Sequence, residues 1–119
     1  MANDVAQISG EVQTQLSHRA LVARLVTAGL RAGLRESCHY AGGCYIRFDE
    51  RAYFILEQVA AGEYLANGDA DSAEQMREAA ERVSGALAGL GIRHRFEVYD
   101  GRPEMVEYLH HPWPQAADA

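Results

Sequence analysis

The stretch from Asp71 to Gly91 constrains this chain more than any other. Ala73, Met76, Ala80, Val83, Leu87 and Leu90 recur at alternating spacings of three and four residues, which places them on one stripe of an α-helix. Asp71 with Glu74, or Ser72 with Gln75, forms a capping box at the start, and Gly89 and Gly91 stop the helix at its end. A helix over 72–89 follows. Its single apolar stripe must be buried against something, and the remaining residues have to supply that surface. With 119 residues the chain has room for one domain over 1–119, with 1–10 and 115–119 as flexible ends.

A small antiparallel sheet is the predicted surface. In 36–48 the run Ala41-Gly42-Gly43 reads as a hairpin turn, followed by Cys44, Ile46 and Phe48 alternating with Tyr45 and Arg47. Residues 92–99 alternate in the same way: Ile92, His94, Phe96 and Val98 on one face, Arg93, Arg95, Glu97 and Tyr99 on the other. Beyond Asp100-Gly101, Pro103 suits the start of a short helix running to Leu109 or His110.

Residues 11–34 fit a long N-terminal amphipathic helix. On a helical wheel Val12, Leu16, Leu21, Val22, Leu25, Val26, Leu30 and Leu34 cover over half the circumference, and Arg24, Arg31 and Arg35 gather on the stripe that remains. An arc wider than the usual surface helix needs cover on two sides. The expected cover is the chain's own sheet and a second copy, giving a homodimer through this helix.

Residues 50–66 open with Ala52-Tyr53-Phe54-Ile55-Leu56, which would also suit a strand. Glu, Gln and Ala in the later half and the stop signal Asn67-Gly68 favour a helix. Paired with 72–89 it makes a helical hairpin. Ala61, Tyr64, Gly68, Ala73 and Ala80 occupy small, aromatic and turn positions, so that the stretch resembles a single tetratricopeptide-type hairpin of about 34 residues. One such unit does not make a solenoid; the resemblance implies two antiparallel helices packed over small residues. The predicted class is therefore α+β.

Charge and motif content narrow the function. All 11 cationic residues are arginine, which removes lysine Schiff-base and P-loop chemistry. The net charge is −6, and residues 49–82 carry nine acids against three arginines. An acidic chain is a poor general nucleic-acid binder, whereas its acidic middle suits a basic partner surface. No run approaches the roughly 18–20 apolar residues of a membrane span, and the N-terminus lacks the pattern of a signal peptide, so a cytoplasmic protein is expected. No cofactor loop, serine elbow or metalloprotease motif occurs.

Four candidate sites stand out. If 44–48 and 92–99 are neighbours, Tyr45, Arg47, Arg93, Arg95 and Tyr99 share one sheet face, suited to an anionic small molecule, a nucleotide or an acidic partner. His94, on the apolar face, is a hydrogen-bonded core histidine or, in the alternative, the base of a small enzyme. Trp113 between two prolines is either a binding anchor or a staple for the tail. Cys38, His39, Cys44 and His94, with His110 or His111, have zinc-ligand chemistry, but the cysteine spacing matches no common knuckle, so no metal is expected. The function expected first is a non-catalytic interaction protein, an inhibitor, adaptor or regulator, that occupies a protein partner's surface.

Overall fold

The computed structural model describes residues 6–35, 43–49, 52–100 and 105–111. In chain order the elements are β1 (Ala6–Gln13), α1 (His18–Thr27), β2 (Arg31–Arg35), β3 (Gly43–Asp49), β4 (Ala52–Ala60), β5 (Glu63–Ala70), α2 (Ala73–Gly89), β6 (Arg93–Tyr99) and β7 (Met105–His111). The strands form one sheet in the order β2-β3-β4-β5-β1-β6-β7, every neighbouring pair antiparallel. β5, α2 and β6 make a split β-α-β unit with β1 inserted between the two strands.

Both helices lie on the same face. The even-numbered residues of β1 and β3 to β6 point towards them: Ala6, Ile8 and Val12, then Cys44 and Ile46, Phe54 and Leu56, Tyr64 and Ala66, Phe96 and Val98 are all buried. Against these α2 sets Met76, Ala79, Ala80, Val83 and Leu87, and α1 sets Leu21 and Leu25. The rings of Phe54 and Phe96 meet edge to face at 5.5 Å, an arrangement the aromatic quadrupole favours. The core is therefore a single layer between helices and sheet. The opposite face of all seven strands carries no element among the described residues.

The helix over 72–89 is present, and Ser72 provides its cap, its Oγ accepting from the Gln75 N–H at 3.2 Å. Residues 93–99 are extended as the alternation predicts. Most of the remaining expectation is overturned. No long N-terminal helix exists: β1 takes Val12, Ser17 caps a helix of 10 residues, and Gly29 at φ +96° turns the chain into β2. The over-wide apolar arc was the sum of three elements projected on one wheel. α1 uses its narrow stripe, Leu21 and Leu25, on its own sheet, and the continuous helix over 11–34 from which the dimer was expected is absent.

Residues 50–66 are likewise not helical, and the tetratricopeptide-like hairpin does not occur. β4 and β5 pair across Ala61-Gly62, with Gly62 at φ +79°. Helix propensity there loses to burial of Phe54, Leu56, Tyr64 and Ala66 at period two, which only a strand satisfies. Asn67-Gly68 lies within β5 instead of ending a helix. The short helix expected to reach Leu109 or His110 is replaced by β7. The small sheet of 36–48 and 92–99 is thus a seven-stranded one; residues 36–42, with the expected hairpin turn, lie outside the described residues. No helix among those residues is long and apolar enough to cross a membrane.

Candidate functional site

The uncovered face is set by strand register. Three rows run across it. Arg31, Arg47, Tyr53, Asp69, Gln7 and Tyr99 form the first, and Gly33, Tyr45, Ile55, Asn67, Ser9, Glu97 and Tyr108 the second. The third holds Glu57, Leu65, Glu11, Arg95 and His110. In the second row the short uncharged side chains of Asn67 and Ser9 therefore fall in the middle, on β5 and β1. Tyrosines stand to either side, Tyr45 and Tyr53 on β3 and β4, Tyr99 and Tyr108 on β6 and β7. β4 and β6 are three strand spacings apart, about 14 Å.

The result is a trough. At one end it opens into a shallow depression of about 450 Å³ lined by Gln7, Ser9, Asn67, Asp69 and Tyr99. A second depression, of about 390 Å³, lies at the far end of β1 beside Gln13, Glu63 and Arg93. Gly33 shapes the rim: a Cβ there would lie 2.5 Å from the Tyr45 hydroxyl, so only glycine lets that ring lie across β2. The Arg47 guanidinium covers the same ring, 5.2 Å from its centroid.

Hydrogen bonds orient the walls. The Tyr53 hydroxyl donates to Asp69 Oδ2 at 2.7 Å and the Tyr99 hydroxyl to Glu97 Oε1 at 2.9 Å. Arg95 donates from Nε to Glu11 Oε1 at 2.7 Å and from Nη1 to Glu97 Oε2 at 3.1 Å. The bond to Glu11 holds the Arg95 guanidinium more firmly charged than usual, and the bond to Glu97 pushes the Tyr99 phenol up. The outward residues of β4, β5 and β1 include Glu57, Glu63, Asp69 and Glu11 and no cation. The middle of the face is acidic.

Tyr45, Arg47, Arg93, Arg95 and Tyr99 do share this face, but β3 and β6 are not neighbours. Three strands separate them, about 19 Å, so the five residues do not converge on one ligand. Arg95 is moreover held by two carboxylates. Trp113 lies outside the described residues, as do Cys38 and His39.

His94 points the other way, into the core, with no exposed surface. Its Nδ1 lies 2.9 Å from the Ile92 carbonyl and its Nε2 lies 2.7 Å from Ser84 Oγ. A carbonyl only accepts, so Nδ1 carries the proton and Nε2 accepts from the Ser84 hydroxyl. Burial lowers the imidazole pKa, partly opposed by the Ile92 bond. A serine hydroxyl on a histidine nitrogen is the geometry of an activated nucleophile. Here, however, the pair is sealed between α2 and β6, and a backbone carbonyl stands where a carboxylate orienter would. Its chemistry is that of a satisfied polar bond in a core.

The residues weighed for zinc also fail to converge. Cys44 on β3 and His94 on β6 face the interior with three strands between them, and Arg95 pairs with His110 on the open face. Burial pushes the Cys44 thiol up to about 12. Among the described residues no group of three or more His, Cys, Asp or Glu is placed to hold a metal ion.

Sequence reasoning missed Tyr53, Asn67, Asp69, Ser9 and Gln7. The alternation of Tyr53, Ile55 and Glu57 with Ala52, Phe54 and Leu56 was the signal for one flank. Nothing local revealed that β1 would lie beside β5. No protein-family model matches the chain, and a search of curated proteins finds no match to it.

Proposed function

We propose that this chain is a non-catalytic interaction protein that occupies a partner's surface with the open face of its sheet, and that the partner presents basic side chains there. The observation that carries the reading is the trough: Ser9 and Asn67 as floor, tyrosines as walls, and carboxylates of Glu11, Glu57, Asp69 and Glu97 around it. Tyrosine offers large rigid contact area at low entropic cost, and serine and asparagine adapt their hydrogen bonds to what they meet; binding surfaces of antibodies use the same combination. The acidic centre selects arginine or lysine by charge and by their attraction to tyrosine rings. A small-molecule site usually encloses most of its ligand, and these depressions are shallow and open. The buried state of His94 and Cys44 favours binding over catalysis by either residue.

The test compares the tagged wild-type chain with an S9R/N67R variant, which fills the floor with two cations and leaves the core untouched. A host protein captured by the wild type is then purified with it as a binary complex. The expected result is loss of that complex in the variant, with its circular dichroism unchanged, and slowed hydrogen exchange in β1, β4 and β5 of the wild-type complex. Unchanged affinity in the variant, or protection confined to α1 and α2, would overturn the reading.

A further inference from the structure

We infer that in the absence of its partner the open face is covered by a second copy of this chain, in a reversible two-fold dimer whose axis runs along the strands between β5 and β1. This rests on the reading of the face as the working surface and adds its regulation: dimer and partner complex exclude one another. The face is self-complementary. Two sheets stacked face to face keep their strands roughly aligned, and a two-fold axis makes each contact occur twice. An axis parallel to the strands keeps each row opposite the same row and exchanges β5 with β1 and β4 with β6.

Register then fixes the facing residues. Asn67 meets the second copy's Ser9, Asp69 meets its Gln7, Tyr53 meets its Tyr99 and Glu57 meets its Arg95. Two hydrogen-bonding pairs, an aromatic pair and a charge pair result, each occurring twice, and no like charges meet among them. Turning the axis across the strands instead sets Asp69 over the second copy's Glu63, a repeated repulsion, so the first orientation is selected.

The size of the face sets the strength. From β3 to β7 the face is about 24 Å wide, and from Gln7 to Gln13 along β1 it is about 20 Å long, so two copies bury on the order of 1,000 Å². That is the lower bound of a specific interface, and the contact is mostly polar. A dimer that forms in the micromolar range and yields to a better-matched partner is the consequence.

Charge exchange at one pair tests both the dimer and its orientation, by sedimentation velocity of the purified full chain. In E57R homodimers two arginines face one another at each of the two symmetric positions, and in R95E homodimers two glutamates do. In a mixture of the two variants both positions can again hold opposite charges or like charges of each sign, according to which copies combine. A heterodimer of E57R with R95E sets arginine over glutamate at both positions, and the double variant E57R/R95E restores the same attraction within one kind of chain. The wild type is expected to dimerise reversibly, each single variant to be monomeric, and the double variant to regain the dimer. A wild type that stays monomeric throughout the micromolar range overturns the inference, as does a single variant that dimerises as the wild type does, or a folded double variant that stays monomeric.

R95E loses the bonds to Glu11 and Glu97, so a second measurement avoids it. On a Cys38→Ser background, a short bis-maleimide should join Tyr53→Cys chains to Tyr99→Cys chains in preference to joining like with like; equal yields would reject the geometry. A monomer whose partner binding is still lost in S9R/N67R ends the dimer and leaves the proposed function standing. A dimer whose host partner is indifferent to S9R/N67R does the reverse.

Discussion

Ser84 and His94 form a buried polar pair whose cost of disruption follows from its geometry. His94 is fully buried, Ser84 nearly so, and their bond is 2.7 Å long. Ser84→Ala removes the hydroxyl donor and strands Nε2 where water does not reach, which costs about 1–3 kcal/mol. His94→Phe strands the Ser84 hydroxyl and the Ile92 carbonyl instead. The double variant no longer holds a mismatched pair, so it should lose less than the two single losses combined, with a coupling of roughly 1–2 kcal/mol. The same pair sets a pH dependence. The folded-state pKa of His94 lies below its ordinary value, so its stabilising contribution is complete above the unfolded value of about 6.5 and is lost as pH falls from there towards the folded value. One proton limits the slope to about 1.4 kcal/mol per pH unit. Urea denaturation followed by far-ultraviolet circular dichroism, at pH values on either side of 6.5, reads both quantities. The wild-type-minus-His94→Phe difference should shrink on acidification. Ser84→Ala as stable as the wild type, or a difference that does not vary with pH, would refute the reasoning.

Three further outcomes are expected. Phe54→Ala and Phe96→Ala should each cost about 3–5 kcal/mol, and their double-mutant cycle should show a coupling of about 1 kcal/mol from the edge-to-face contact; both are read from denaturant midpoints. Glu107, raised by burial and by the neighbouring Glu81, contributes stability present below its ordinary pKa and lost as pH rises through the folded value, so Glu107→Gln should stabilise the protein at neutral pH in thermal melts. Cys44, fully buried with its thiol pushed up to about 12, should resist a maleimide in the native Cys38→Ser protein and react once urea unfolds it; rapid native labelling would contradict its placement.

Two contributions to the pH profile oppose one another. His94 favours folding at higher pH and Glu107 at lower pH, over partly shared windows. A raw stability curve therefore mixes them, and differences against the single variants separate them. Neither group lies on the open face, so partner binding and fold stability should respond to different substitutions: those at outward strand positions and those at inward ones.

The amino-acid sequence by itself determined the parts that local physics controls. The apolar spacing and the Ser72 cap specify α2, and the alternation through Ile92 to Tyr99 specifies β6 and puts His94 inside and Arg95 outside. The acidic middle was equally legible, because charge is additive along a chain. Tertiary structure decided the rest. Val12 reads as well on a helical wheel as on a strand, and it is a strand residue because β5 and β6 pair with it from either side. Phe54 and Tyr64 sit in a segment rich in helix formers, yet only an extended backbone buries both on the helix-covered face. Strand alternation states which face a side chain occupies; it carries no information on which strand lies next to it. Neighbours are chosen by pairing energies between distant segments. That is why Tyr45 and Arg95 were foreseen on one face but not 19 Å apart, about four strand spacings, and why the trough exists only in the folded chain.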